Sequence, residues 1–375
     1  MKRKKHDGKM NIFVYGYRNI NLGDDLFFYI LFSRYPQVNF VMFAPPIYKE
    51  IFKEFENVKI YTEGVCLLGL NRVLSSVFNG RNIRTTIAQN CDAAVRIMGA
   101  SFGEKHQNRR QKTYFEPDVE TVKKVYIVGA NVEKIYTKMY YEQVKKYLAR
   151  CEDVCFRENS SKEMFPMLSN VRVAPDIVFQ LPKVHKATQK ISEKMVIISV
   201  INMSIRKELN KYSDNYEEFL GRIISFFLKK NYKICMLSFC EKEGDEDYTN
   251  NFLLKSNYDL KQISCYTYTG KIDETIELIQ MSQCIIATRF HSMILAWIYG
   301  KKVLPILYNS KMKNVIEDYG YKGSYVELND LNNFNYEDFE KWQKEKIFDV
   351  SECIIESEKQ FLGLDEFINE WEKPN

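Results

Sequence analysis

The chain has 375 residues, a length that suits about two domains of ordinary size. Hydrophobic residues make up 45% and charged residues 27%, which excludes wholesale disorder and the collagen-like or low-complexity classes. With 54 Lys and Arg against 49 Asp and Glu, the net charge of +5 tolerates anionic ligands or a membrane surface without demanding nucleic acid.

The N-terminus opens with a basic run at residues 1–5, and no apolar stretch of signal-peptide type follows it. Strands are predicted over 11–17, 39–44, 59–62, 93–98, 125–129 and 153–157. Helical patterns lie between them at 25–34, 48–55 and 137–150. The last sets Met139, Tyr140, Val144, Tyr147 and Leu148 at a period of about 3.6 residues. The Val/Ile character of the strands fits burial on both faces, as in parallel sheets.

The pattern lapses at 182–194, a polar stretch with Pro182 that reads as a linker. Alternation then restarts: strand 195–201, helix 216–229, strand 233–239, helix 245–254, helix 273–281, strand 284–287, helix 291–299 and strand 302–307. From Tyr336 the chain is charged and helical, with Phe339, Trp342, Phe361, Leu362, Phe367 and Trp371 as candidate packing residues. The expectation is an α/β protein of two Rossmann-like domains facing a central cleft. Residues 1–181 form the N-terminal domain, 195–350 the C-terminal domain and 351–375 a helical tail. Ligands in such sheets bind outside the carboxyl ends of the strands.

No window of about 20 apolar residues occurs, the best one, 284–299, being broken by Arg289 and His291. The nine cysteines include no Cys-x-x-Cys pair, and Cys151/Cys155 and Cys235/Cys240 lack zinc-site spacing. Reduced thiols in a cytoplasmic protein without a metal site are expected. The aromatic content of 14%, with 25 Tyr and 25 Phe, is assigned to core packing before any sugar-stacking platform.

The strongest local signal is the strand-to-helix run from Ile285 to Gly300, with Arg289 and His291 at the junction. Free amides and the helix dipole favour an anion there, and Arg289 adds a bidentate fork. His291 can exchange a proton near neutral pH, or be a satisfied half-buried side chain. After the first strand comes Asn21-Leu-Gly23-Asp24-Asp25, in which Asp24 or Asp25 reads either as a helix N-cap or as a carboxylate for a sugar hydroxyl. Its single glycine and paired acids exclude a phosphate loop. Arg157 ends another strand, as an anion ligand or a salt-bridged structural residue, with Ser160 or Ser161 and Glu163 placed for a capping box. Pro175-Asp176 reads as a turn with a structural aspartate. The run from Glu241 to Asp247 lacks calcium-loop spacing and reads as a solvated charge run with an N-cap. Lys311, in Tyr308-Asn-Ser-Lys, either reaches the anion site or is exposed.

Taken in order, NLGDD at 21–25, CFREN at 155–159, APDIVF at 174–179, TRFHSMILA at 288–296 and YNSK at 308–311 resemble the polysaccharide pyruvyl transferase family. The resemblance runs from about Asn11 to about Tyr319. It implies a GT-B-like fold, with phosphoenolpyruvate as donor and co-substrate, no separate cofactor, and a sugar or lipid-linked oligosaccharide as acceptor. The product is a cyclic pyruvate ketal. On this reading Arg157, Arg289, Phe290 and Lys311 hold phosphoenolpyruvate, and His291 delivers the proton. Asp24 or Asp25 orients or deprotonates the diol, and Asn21 and Asp25 contact the acceptor. A lipid-linked acceptor places the enzyme at the cytosolic membrane face, aided by the basic run from Lys2 to Lys5. The rivals are a GT-B-type glycosyltransferase with Glu317 or Asp318 on the donor ribose, and a non-catalytic glycan-binding module.

Overall fold

Runs of Val, Ile and Ala too short for helices but long enough to cross a sheet organise the chain into two parallel sheets. The computed structural model describes residues 8–62, 83–104, 122–185, 193–205, 207–256, 258 and 260–373. The basic run at 1–5 and residues 186–192 of the expected linker lie outside the described residues.

The first sheet contains β1 (Asn11–Tyr15), β2 (Asn39–Phe43), β3 (Val58–Tyr61), β4 (Ala93–Ile97), β5 (Ala100–Phe102), β6 (Val125–Val132), β7 (Asp153–Phe156) and β8 (Val171–Val173). Its order is β3-β2-β1-β4-β6-β7-β8, with β5 also paired to β6. The second contains β9 (Met195–Ser199), β10 (Lys233–Ser238), β11 (Ile263–Thr267), β12 (Cys284–Ala287), β13 (Lys302–Leu307) and β14 (Val326–Glu327), in the order β11-β10-β9-β12-β13-β14. The strand order reverses between β1 and β4 in one sheet and between β9 and β12 in the other. At such switch points the loops diverge and leave room for ligands.

The longer helices are α1 (Leu22–Arg34), α2 (Lys138–Leu148), α3 (Ser213–Lys229), α4 (Asp245–Lys255), α5 (Ile272–Met281), α6 (Phe290–Ile298), α7 (Ser310–Asp318) and α8 (Leu362–Glu372). The chain divides into two units. One comprises Met1–Arg18, Phe27–Gln180 and Ile355–Asn375; the other comprises Asn19–Leu26 and Leu181–Ile354. The two-sheet α/β class expected from the alternation is therefore the observed one.

In the second unit α3 turns Tyr216, Phe219, Leu220, Ile223 and Phe227 inward, the spacing of one helical face. They pack with Val196, Ile198 and Ile286 of the central strands. Each such side chain contributes about 1.5–3 kcal/mol by leaving water. Much of the aromatic excess lies in these interiors. Phe28 and Phe32 of α1 pack with Phe52 in the first unit, and Phe219 and Phe226 pack with Phe339 in the second.

Several elements differ from the sequence expectation. β11 was not expected; it is an edge strand in which only Ile263 is buried, so it lacks a continuous apolar run. β8 and β14 escaped for the same reason, being short and at sheet edges. Ser160 and Ser161 do not cap a helix, because Asn159–Glu163 begins after Glu158 with no side-chain cap. Ser161 Oγ instead donates to Glu158 and accepts the Val132 amide, both at 2.8 Å. Of the expected packing residues near the C-terminus, Phe339, Trp342, Phe361 and Phe367 are buried, whereas Leu362 and Trp371 are exposed.

The C-terminal segment is stitched into the first unit by polar groups. Gln360 is fully buried; its Oε1 accepts the Gly129 amide at 2.9 Å, and its Nε2 donates to the carbonyls of Ala174 at 2.7 Å and Pro175 at 3.0 Å. Asp365 of α8 accepts from Arg34 Nη2 at 2.7 Å and from the Tyr35 hydroxyl at 2.6 Å.

Candidate active site

β12 runs out at Ala287, and two residues later Arg289 adopts extended backbone angles as the N-cap of α6. Its side chain makes no capping bond. The junction is fixed instead from β9: Ser199 Oγ accepts the Arg289 amide at 3.3 Å and lies 2.6 Å from Ser292 Oγ. Thr288 is fully buried, its hydroxyl 2.9 Å from that of Tyr216. This rigid strand-to-helix turn occupies the switch point between β9 and β12, at the positive end of a helix dipole.

Arg289 is 7% exposed and engages two carboxylates from the loop after β10. Nη1 donates to Glu243 at 2.6 Å, and Nη2 donates to both oxygens of Asp245. Burial works against the guanidinium charge, but Asp245 and Glu243 more than offset it, so its pKa rises above the ordinary arginine value. The sequence expectation of a solvated run at Glu241–Asp247 is corrected here. Asp245 is fully buried, and the N-cap of α4 is Gly244 rather than an acidic side chain. A cavity of about 200 Å³ lined by Ile201, Asn202, Ile205 and Glu243 adjoins this ion pair.

The segment Asn19–Leu26 belongs to the same unit. Asn21 Oδ1 accepts the Gly23 amide at 3.0 Å, so the asparagine caps α1 and the two aspartates fall in its first turn. Asp25 is fully buried, and its Oδ2 accepts the hydroxyl proton of buried Tyr268 at 2.7 Å. Asp24 is half-buried beside it. The Leu22 amide reaches the Phe239 carbonyl at 3.4 Å, and Lys242 Nζ donates to Asn19 Oδ1 at 2.7 Å. These bonds bring Gly23 against His291: a Cβ at Gly23 would lie 1.8 Å from His291 Nδ1. Only glycine allows that approach.

His291 is half-buried in the first turn of α6, and its ring meets Phe290 edge-on at 5.0 Å between centroids. Lys311 Nζ lies 4.9 Å from the Phe290 ring centroid, a cation–π distance. It stands in the first turn of α7, which Asn309 caps by accepting the Met312 amide at 3.1 Å. The second unit therefore gathers Asn21, Asp24, Asp25, Arg289, Phe290, His291 and Lys311. Glu317 and Asp318 are exposed at the far end of α7.

Arg157 belongs to the first unit, directly after β7. It is 0% exposed, with Nη1 donating to Asp176 at 2.9 Å and Nη2 to Asn131 Oδ1 at 2.6 Å. Asp176 also accepts the Val178 amide at 2.9 Å. A Cβ at Gly99 would lie 2.7 Å from the guanidinium.

Sequence reasoning missed Tyr268, Glu243 and Asp245 as members of the site. Asp245 was legible only once the loop after β10 was known to flank the switch strand β9. Among the described residues, no group of three or more His, Cys, Asp or Glu side chains is placed to hold a metal ion. No helix among them is long and apolar enough to cross a membrane.

Solved structures are similar to this chain over nearly its full length. The UDP-GlcNAc 2-epimerase of Neisseria meningitidis, bound to UDP-GlcNAc, is 12% identical with a TM-score of 0.59, covering 96% of this chain and 100% of its own. Its Methanocaldococcus jannaschii counterpart, in complex with UDP-GlcNAc and UDP, is 12% identical at TM-score 0.57, covering 96% and 99%. Anabaena Alr3699/HepE in complex with UDP-glucose is 11% identical at TM-score 0.55, covering 96% and 98%. At such identities the likeness is one of fold, and that fold is GT-B-like. No curated protein sequence matches the chain. The family profile described as polysaccharide pyruvyl transferase matches residues 21–310, well over half of the 375 residues. The chain thus belongs to the polysaccharide pyruvyl transferase family.

Proposed function

We propose that the protein transfers the pyruvyl group of phosphoenolpyruvate onto two hydroxyls of a sugar, forming a cyclic ketal and releasing phosphate. The observation that carries this reading is the convergence of Arg289, His291 and Lys311 with the first turn of α1. Phosphoenolpyruvate presents a carboxylate and a phosphate on one small enol. Arg289 and Lys311 are the cations for it, and the helix end adds favourable potential. Phe290 forms the apolar wall that carries Lys311.

In the reaction His291 gives a proton to the methylene carbon while positive charge develops at the central carbon. One sugar hydroxyl bonds to that carbon, phosphate departs, and the second hydroxyl closes the ring. The two hydroxyl protons end on the new methyl group and on phosphate, so the exchange balances without an oxidant. Asp24 is the carboxylate assigned to take a hydroxyl proton, whereas Asn21 and Asp25 support the acceptor. Arg157 is proposed as the first unit's anion-binding arginine and is tested separately below. The acceptor is a sugar or a lipid-linked oligosaccharide, the latter met at the cytosolic face of the membrane.

The test is incubation with phosphoenolpyruvate and a panel of acceptor glycans, reading phosphate release and product mass. A mass gain matching a pyruvate ketal, lost in Arg289→Ala and His291→Ala, supports the assignment. Turnover at the wild-type rate in either folded variant overturns it. The second reading, glycosyl transfer from a nucleotide sugar, is favoured by the UDP-sugar complexes of the structural neighbours. A hexose-sized gain with UDP-sugars selects it, and no turnover with any donor selects a glycan-binding module.

A further inference from the structure

A helix N-cap is ordinarily Ser, Thr, Asp or Asn, whose side chain accepts an amide of the first turn. At the start of α6 that place is taken by Arg289, whose side chain makes no such bond. Two buried hydroxyls supply what the arginine lacks: Ser199 at the end of β9, and Ser292 in the first turn of α6. Ser199 Oγ accepts the Arg289 amide at 3.3 Å, and Ser292 Oγ donates to the Arg289 carbonyl at 2.7 Å. The two hydroxyl oxygens lie 2.6 Å apart. Each hydroxyl has a single proton to give. Because Ser292 gives its own to the Arg289 carbonyl, Ser199 is the donor in the contact between them. The other arrangement would send the Ser199 proton to the Ile286 carbonyl at 3.5 Å, a far longer bond.

The bonds therefore close a ring that runs one way, from the Arg289 amide to Ser199, on to Ser292, and back to the Arg289 carbonyl. Both peptide groups that flank the Arg289 Cα are held. The same carbonyl accepts the Ser292 amide at 3.1 Å, which ties the ring to the turn carrying His291. At the far end of the side chain, Asp245 takes Nη2 with both oxygens. We infer that Ser199 and Ser292 are positioning residues of the donor site: their hydroxyl ring replaces the missing cap and holds Arg289 and His291 at a fixed pitch for an anionic donor. The inference rests on Arg289 and His291 serving phosphoenolpyruvate, as proposed above. Both serines act through Arg289 and not on the donor itself. Opening the ring loosens the backbone between the guanidinium and the imidazole, a misplacement to which group transfer responds steeply. Either serine alone opens it, so the second then has little left to contribute.

The experiment is a double-mutant cycle in the full chain with Ser199→Ala, Ser292→Ala and the pair. It reads phosphate release from phosphoenolpyruvate and calorimetric affinity for inorganic phosphate. Each single variant is expected to lower kcat/KM by about 10–100-fold and to weaken phosphate binding about tenfold. The double variant is expected within about threefold of the worse single one, whereas independent sites would multiply their losses. Ser292→Cys keeps the volume but donates weakly; it should match Ser292→Ala, and it stands in if the alanine variant does not fold. Ser282→Ala removes another fully buried serine, bonded to the Ile279 carbonyl just before β12, and should stay within about twofold of wild type. Unchanged kinetics and phosphate affinity in both folded single variants overturn the inference, even where their unfolding midpoints fall. Losses that multiply in the double variant, wild-type behaviour of Ser292→Cys, or an equal loss in Ser282→Ala overturn it too. Phosphoenolpyruvate turnover that ignores both serines sinks the ring and leaves the donor assignment standing. Phosphate binding that weakens in the serine variants of a protein inert toward phosphoenolpyruvate supports the hold on Arg289 and sinks the donor assignment. Failure of the wild type to bind either anion sinks both.

Discussion

Arg157 in the first unit and Arg289 in the second both follow a parallel strand and both pair with a buried aspartate. Their surroundings then diverge. Around Arg157, Nη2 donates to the neutral amide of Asn131 and Gly99 closes over the fork. Around Arg289 a second carboxylate enters from a half-exposed turn, and a cavity adjoins it. An enclosed pair is costly to break and has little freedom to exchange partners. A pair beside open volume has more room to rearrange. The same residue type at the same kind of position thus sits in two different settings, one enclosed and one bordered by a cavity.

The sharpest way to break this comparison is His291→Ala, which removes the proposed proton donor near Arg289 without touching either ion pair. Phosphate release from phosphoenolpyruvate should fall by about 10²–10⁴-fold, with the unfolding midpoint close to wild type. Retained activity would move the chemistry away from the second unit's switch point. Arg157→Ala should act through stability, because buried Asp176 then loses the guanidinium that faces it. Urea unfolding is expected to register a loss of about 3–5 kcal/mol. Arg157→Lys separates the two roles proposed for this position: a raised KM for phosphoenolpyruvate supports anion binding, and a stability loss with KM unchanged assigns it to structure alone.

Gly23→Ala probes the approach to the imidazole. Its new Cβ forces a shift of His291 or of the first turn of α1, and kcat is expected to drop about 10²-fold while phosphate affinity at Arg289 holds. Equal kcat in the alanine variant would show that the contact is incidental. Tyr268→Phe should have the smallest effect, about 1–3 kcal/mol of stability, from leaving an Asp25 oxygen without its buried donor. Thermal unfolding checks it; a Tm matching wild type would show that Asp25 is satisfied by other groups.

The fold class could be read from the sequence because strand burial is written in local composition. β12 reads Cys-Ile-Ile-Ala and is buried at every position. The Arg289-Phe290-His291 junction was legible for the same reason, since a strand running straight into an apolar helix advertises its turn. Edge strands were not, because β11 shows its polar residues to solvent. Glu243 and Asp245 looked like surface charge because their partner lies more than forty residues downstream. Tyr268 reaches Asp25 across 243 positions of sequence, a separation over which no local pattern carries information. The helix cap expected at Asp24 or Asp25 falls instead on Asn21, whose side chain accepts the Gly23 amide, because the helix begins three residues earlier than its apolar pattern suggested.

Gln360 carries a consequence for how the molecule is made. The Gly129 amide and the Ala174 and Pro175 carbonyls that it satisfies lie deep in the first unit, nearly two hundred residues or more earlier in the chain. A ribosome releases those groups long before it adds their partner. Those groups can exchange water for Gln360 only after the whole second unit has been synthesised and is free to fold. The later unit can thus finish first, while the earlier one gains its last buried hydrogen bonds when the C-terminal helices arrive.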